Sequence, residues 1–170
     1  MDALEELKQM HVEAKAAFKK IEAAGPGERG GLWAKLRPEL ELHEQIEERF
    51  VYDPAAHDVG ATDPILGRWE QEHESQVREA DAVMAKISAL QPENEPWLEH
   101  VHALHTTLEG HIAHEEHDIW PRIRTAWGEQ KLDEAGRSIA AAKAAAKAGS
   151  SVKAAVAKGD EAHRASTGPD

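Results

Sequence analysis

Two stretches of the chain carry the same arrangement of chemically capable residues, HEQIEERFVYDP from His43 and HIAHEEHDIWPR from His111. In each, a histidine is followed four residues on by a glutamate and then by a second glutamate, with an aromatic residue nine positions after the histidine and a proline close behind. Residues four apart on a helix lie one above the other, so His43 with Glu47 and His111 with Glu115 each present an imidazole and a carboxylate to one side. If those sides face a core, the carboxylates need partners, because an unpaired buried charge costs several kcal/mol.

The surrounding periodicity turns those sides inward. Apolar residues recur at threes and fours, the spacing of core-facing helices. The first segment puts Leu4, Leu7, His11, Ala14, Phe18 and Ile21 on one stripe, and the second puts Leu36, Leu40, His43, Glu47 and Phe50 on another, with a kink or a reset first turn expected at Pro38. The third aligns Leu66, Trp69, His73, Val77, Ala80, Met84 and Ile87, with Thr62 or Asp63 as cap and Pro64 in the first turn. The fourth aligns Trp97, Val101, Leu104, Leu108, His111, Glu115 and Asp118. Glycine- and proline-rich connections at 23–31, 53–64 and 90–96 separate the segments. The chain thus reads as two copies of a helix pair, a lone histidine opening each copy and the HxxxE phrase closing it. Short connections favour an all-α, up-down-up-down four-helix bundle.

Six polar groups on inner stripes would overwhelm a domain stable by roughly 5–15 kcal/mol unless something replaced their hydration. Coordination to metal does so. Four imidazoles and two carboxylates suit iron, manganese or zinc, whereas calcium and magnesium favour all-oxygen shells. The set is too large for one tetrahedral zinc with water, and it fits two adjacent metals, each holding two histidines, with Glu47 and Glu115 bridging. Asp118, by its seam position, and Tyr52, if the helix distorts before Pro54, are candidates for additional ligands, with His114 behind them.

The order His11, His43 with Glu47, His73, His111 with Glu115 resembles the hemerythrin-like proteins, or HHE cation-binding domains, over roughly residues 1–127. The resemblance implies a non-haem centre of two iron ions, oxo- or hydroxo-bridged, in the core of the bundle and able to meet dioxygen, hydrogen peroxide or nitric oxide. Two departures stand out. Oxygen carriers of the family add a histidine one turn along the third helix, where this chain has Val77, and space histidine and aspartate by five on the fourth, where Glu115 sits at four. Fewer protein ligands leave exchangeable positions, which favours catalase-like peroxide breakdown over passive carriage. A non-catalytic iron or oxygen sensor, or an iron store, is the alternative.

The remainder of the chain adds exclusions. A formal charge of −12 with no basic face argues against nucleic acid. There is no cysteine, hence no disulfide and no thiolate ligand. Neither a signal segment nor a membrane-spanning run is legible, so a soluble, cytoplasmic protein is expected. No HExxH pair occurs, and the ExxH pairs Glu70 with His73 and Glu99 with His102 have a member off the stripes. His100, His102, His105 and His117 are expected on outer faces, His57 and His163 in solvent, and the five tryptophans in packing roles. Residues 128–149 read as an additional Ala/Lys-rich helix, and 150–170 as a mobile tail that contributes nothing to the site.

Overall fold

The computed structural model describes residues 1–167. Helix α1, Ala3–Ala23, starts on a capping box in which Asp2 Oδ1 accepts from Glu5 N at 3.0 Å and Glu5 Oε2 accepts from Asp2 N at 3.0 Å. Helix α2 spans Pro26–Glu47, and a π-helical turn, Glu48–Tyr52, joins it without interruption to α3, Asp53–Val59. Helix α4, Pro64–Ala89, is capped by Asp63, whose Oδ1 accepts from Ile65 N at 3.0 Å. Helix α5, Glu95–His114, runs through a second π turn, Glu115–Ile119, into α6, Trp120–Lys147, which breaks at Gly128 with φ 68°. Helix α7 is Val152–Thr167. Among the described residues there is no strand, and no helix is long and apolar enough to cross a membrane.

Helices α1, α2, α4 and α5 form the all-α bundle, and its core is layered. One apolar cluster gathers Leu4, Leu7, Ile46, Leu66, Trp69, Ile119 and Ile123. A second gathers Phe18, Ile21, Leu36, Leu40, Met84, Ile87, Trp97 and Val101. On α1, α4 and α5 the polar stripe residues fall between members of the two clusters, and on α2 and the π turn after it His43 and Glu47 alternate with Leu42, Ile46 and Phe50 of the first, so the buried histidines and glutamates form a slice across the molecule.

Three expectations change. The glycine-rich stretch expected as a connection at 23–31 is mostly helix, since α2 begins at Pro26 and continues through Pro38 as one element. Proline suits the first turn of a helix, where its missing N–H would have no partner, and α2 uses Pro26 there. Residues 53–59, expected as linker, form α3.

The stretch expected as a mobile tail is helical and packed, its final three residues lying outside the described ones. Composition misled because α7 packs through small residues and not large ones. Ala155 is fully buried, α7 pairs with α6 and touches α2, and Arg49 Nε donates to Asp160 Oδ1 at 2.8 Å. Gly159 admits the Phe50 ring so closely that an added Cβ would lie 2.4 Å from Phe50 Cζ and 2.8 Å from the Ser138 carbonyl oxygen. Phe50 belongs to the π turn between Glu47 and Tyr52. The hairpin of α6 and α7 therefore braces the turn that carries two site residues. Gly159→Ala is expected to cost about 1–3 kcal/mol by overpacking, and to lower metal content with stability; a thermal melt and metal analysis check both, an unchanged pair of values meaning that the brace is dispensable.

Candidate metal centre

The slice between the apolar clusters brings His11, His43, Glu47, His73, His111 and Glu115 together from four helices. Glu47 and Glu115 are 0% exposed, and all four rings are buried or nearly so. His11 Nε2 lies 3.1 Å from His43 Nε2. Glu47 spans the layer: its Oε1 is 3.3 Å from His43 Nε2 and 3.6 Å from His11 Nε2, while its Oε2 is 3.4 Å from His73 Nε2. Glu115 spans it the other way, with Oε1 3.0 Å from His111 Nε2 and Oε2 3.4 Å from His11 Nε2. Each carboxylate thus turns its two oxygens toward different histidines, the disposition of a bridge. Potential ligand atoms gather in two overlapping groups, His11, His43 and Glu47 in one and Glu47, His73, His111 and Glu115 in the other.

The second glutamate of each phrase, which has no role in the helical stripes, orients a histidine of the other copy. Glu48 Oε2 accepts from His73 Nδ1 at 2.8 Å, and Glu116 Oε1 accepts from His11 Nδ1 at 3.0 Å. Gln76 Oε1 accepts from His111 Nδ1 at 2.7 Å. With Nδ1 held as the donor on the outer side, each of these rings points Nε2 into the layer, where it could give up a proton to a metal, as metal-ligating histidines do. The signal was in the sequence, since the doubled glutamate is part of the repeat. His43 differs: its Nδ1 has no hydrogen-bond partner. Gln76 lies three residues after His73, and the matching position three after His11 is Ala14, whose methyl group accepts nothing.

Both phrases run into π turns, and this decides the additional candidates. A π turn closes backbone bonds from i to i+5, here Asp53 N to Glu48 O and Trp120 N to Glu115 O. The extra residue brings the position five after each glutamate back over the layer. Those positions are Tyr52 and Trp120, the aromatic residues of the repeat. Tyr52 O–H donates to Glu115 Oε1 at 2.6 Å and accepts from Trp120 Nε1 at 3.0 Å. Trp120 also stacks on His11, with centroids 5.0 Å apart. Asp118, expected by seam position, is rotated out by the same turn and instead accepts from His114 Nδ1 at 2.9 Å on the exposed face. Neither Asp118 nor His114 joins the centre. His105, expected on an outer face, is buried against Phe18 because α1 covers that side of α5.

The charges are finely opposed. Burial works against charging His11, yet Glu115 and Glu47 outweigh it and push its pKa up to about 10. His73 is likewise raised to about 10, burial being overcome by Glu47 and Glu48. Burial lowers His43 to about 4. Burial also opposes ionisation of Glu47, but the facing histidines His43, His11 and His73 hold its pKa well below the usual carboxylate range. Burial and the Glu47 charge oppose ionisation of Glu115, and His11 and His111 more than offset them. Burial and the nearby carboxylates push Tyr52 well above the usual phenol value, so it stays a donor.

The residues fit a metal. Both oxygens of Glu47, Glu115 Oε2 and His73 Nε2 are buried without a hydrogen-bond partner, a cost that coordination removes. Imidazole nitrogen with carboxylate oxygen suits a first-row transition ion.

Beside the layer lies a cavity of about 60 Å³ walled by Phe18, Leu40, Val77, Met84, Leu104 and Leu108 and reaching His43, Glu47 and His111. It has room for a few water-sized molecules. Glu44 also lines it, and burial together with the Asp81 charge raises its pKa to about 8, which keeps this wall uncharged near neutrality.

In the metal-free protein the charged His11 and His73 rings stabilise the fold fully below the ordinary histidine pKa of 6.5, a contribution lost as pH rises through about 10. A metal held by these residues would take the place of those protons. The melting temperature of the metal-free protein is therefore expected to fall between about pH 7 and 10 more steeply than that of the loaded protein; parallel profiles would contradict this protonation scheme.

Comparison with known proteins agrees with the geometry. No curated protein matches the chain. It is similar to the crystal structure of a Hemerythrin HHE cation binding domain-containing protein, the Rv2633c homolog from Mycobacterium kansasii, at 25% identity and a TM-score of 0.67, over 94% of this chain and 99% of that one. The model of the Hemerythrin HHE cation binding domain matches residues 2–123, and the chain accordingly belongs to the hemerythrin HHE cation-binding family.

Proposed function

We propose that this cation-binding domain is a non-haem di-iron protein that reacts with small oxidants or diatomic ligands, dioxygen, hydrogen peroxide or nitric oxide, admitted to the apolar cavity. The observation that carries the reading is the pair of carboxylates, Glu47 facing three histidines and Glu115 facing two, in a layer that His43, Glu47 and His111 open to a cavity too small for an organic substrate. His11, His43, His73, His111, Glu47 and Glu115 would hold the metals, and Tyr52 is the remaining candidate ligand. When bound, an iron pair supplies two redox equivalents. The chain supplies the rest: Gln76, Glu48 and Glu116 orient imidazoles, Tyr52 holds its proton against Glu115 Oε1, and Phe18, Leu40 and Leu108 exclude bulk water. The reaction best suited to the site is disproportionation of two hydrogen peroxide molecules to dioxygen and two water molecules. Lack of cysteine suits a reducing compartment, and we place the protein in the cytoplasm.

A sensing role is the second reading. It is favoured by the contact of Phe50, on the π turn, with α7, through which a change at the centre would reach the C-terminal hairpin. Oxygen evolution from added peroxide separates the two, being expected of the enzyme and absent from a sensor or store.

Metal analysis is expected to find about two iron ions per chain. His111→Ala should lower iron content and destabilise the fold by about 3–5 kcal/mol, since Glu115 loses the nearer of its two facing rings. Full occupancy with an unchanged melt would remove these residues from the centre. Val77 lines the cavity one turn beyond His73. Val77→His should fill that space and slow oxygen evolution by about tenfold or more, roughly 1.4 kcal/mol on the barrier, with iron content intact; an equal rate in folded, loaded protein would show that the cavity is not the route of the ligand.

A further inference from the structure

The spacing that builds the buried centre occurs a third time, in His105 and Glu109 on α5. His105 lies about 9 Å along the helix axis from His111 and outside the polar layer. Its ring stacks on Phe18, centroids 4.8 Å apart and planes 6° from parallel, and Phe18 also walls the cavity, whose lining does not include His105. Glu22 of α1 accepts from His105 Nδ1 at 2.8 Å. Nδ1 is thereby held as the donor, as Glu116 and Glu48 hold it on His11 and His73, and this leaves the lone pair of His105 on Nε2.

That nitrogen is buried and makes no hydrogen bond to the protein. Glu109 Oε1 stands 3.7 Å from it, on a side chain 52% exposed. Two donor atoms at this separation can share one ion about 2.1 Å from each, at an angle of roughly 120°. The exposure of Glu109 leaves the remaining positions to water. His102 Nδ1 is 3.0 Å from the same Glu22 oxygen, on a ring 55% exposed.

We propose that His105 Nε2 and Glu109, with Glu22 as the orienting carboxylate, form a mononuclear site for a divalent first-row cation on the seam between α1 and α5, distinct from the buried centre. The site has two protein ligands and is weaker than that centre. His102 steadies Glu22 and is not a ligand.

Zinc is the probe, titrated into the iron-loaded full chain by equilibrium dialysis with iron measured in parallel. The parent is expected to take up one zinc per chain without releasing iron. Glu109→Gln, a surface change that should leave the melt and the iron content alone, should weaken zinc binding at least tenfold. His105→Phe, which keeps the stack on Phe18, should do the same. Glu22→Gln should weaken it about 10–100-fold by loosening the ring, and His102→Ala should have little effect. The proposal is overturned if the parent takes up no zinc, if zinc enters only as iron leaves, if Glu109→Gln binds as the parent does, or if His102→Ala alone abolishes binding.

Discussion

Glu47 and Glu115 place two carboxylates where the bundle offers no water, and most of what is unusual in the chain answers that placement. Neither acid lies within reach of an arginine or lysine among the described ion pairs, and the compensating groups are four imidazoles and the Tyr52 hydroxyl. Those imidazoles need direction, which Glu48, Glu116 and Gln76 provide from their Nδ1 side. The resulting network is costly if incomplete, because a low-dielectric interior strengthens satisfied hydrogen bonds and penalises unsatisfied ones alike. It is therefore enclosed between two apolar clusters whose burial offsets the penalty.

The π turns show how backbone and chemistry are joined. An α-helix continued through Glu47 or Glu115 would return the residue three or four positions later to the layer. Five-residue closure returns Tyr52 and Trp120 instead, whose hydrogen bond to each other links the two phrases at their ends. Such turns are less favourable than α-helix and recur at functional sites. Here Pro54 and Pro121 follow directly on the π turns inside continuous helical runs, so each removes an N–H that an unbroken α-helix would have bonded to the preceding turn.

Much of this could be read from the sequence because amphipathic spacing is a local property. The stripes through His11, His43, His73 and His111 locate the polar layer, since a histidine recurring at the apolar period of four helices marks a level at which the core must accommodate polar groups. What could not be read depends on a residue of phase or on a close approach. Asp118 obeys an α-helical period that the structure abandons at Glu115. Burial of His105 is decided by α1, which lies far away in sequence. The glycines of α2 look like a connection to propensity reasoning, yet Gly27 and Gly31 are exposed with open space around them, and the packing of this helix comes from Trp33, Leu36 and Leu40 further along. Ala155 and Gly159 in α7 offer little apolar area, and their contribution lies in how near they allow α6 and Phe50 to come.

The doubled glutamates cross over. Glu48, from the first copy of the repeat, holds His73 of the second, and Glu116, from the second, holds His11 of the first. Each half of the bundle is thus missing a part that only the other half owns. A half-length chain carrying one lone histidine and one HxxxEE phrase would have nothing of its own to steer that histidine, and would find it only in a second copy of itself. The repeat is in this sense a fused dimer whose exchange of side chains makes the two halves indivisible.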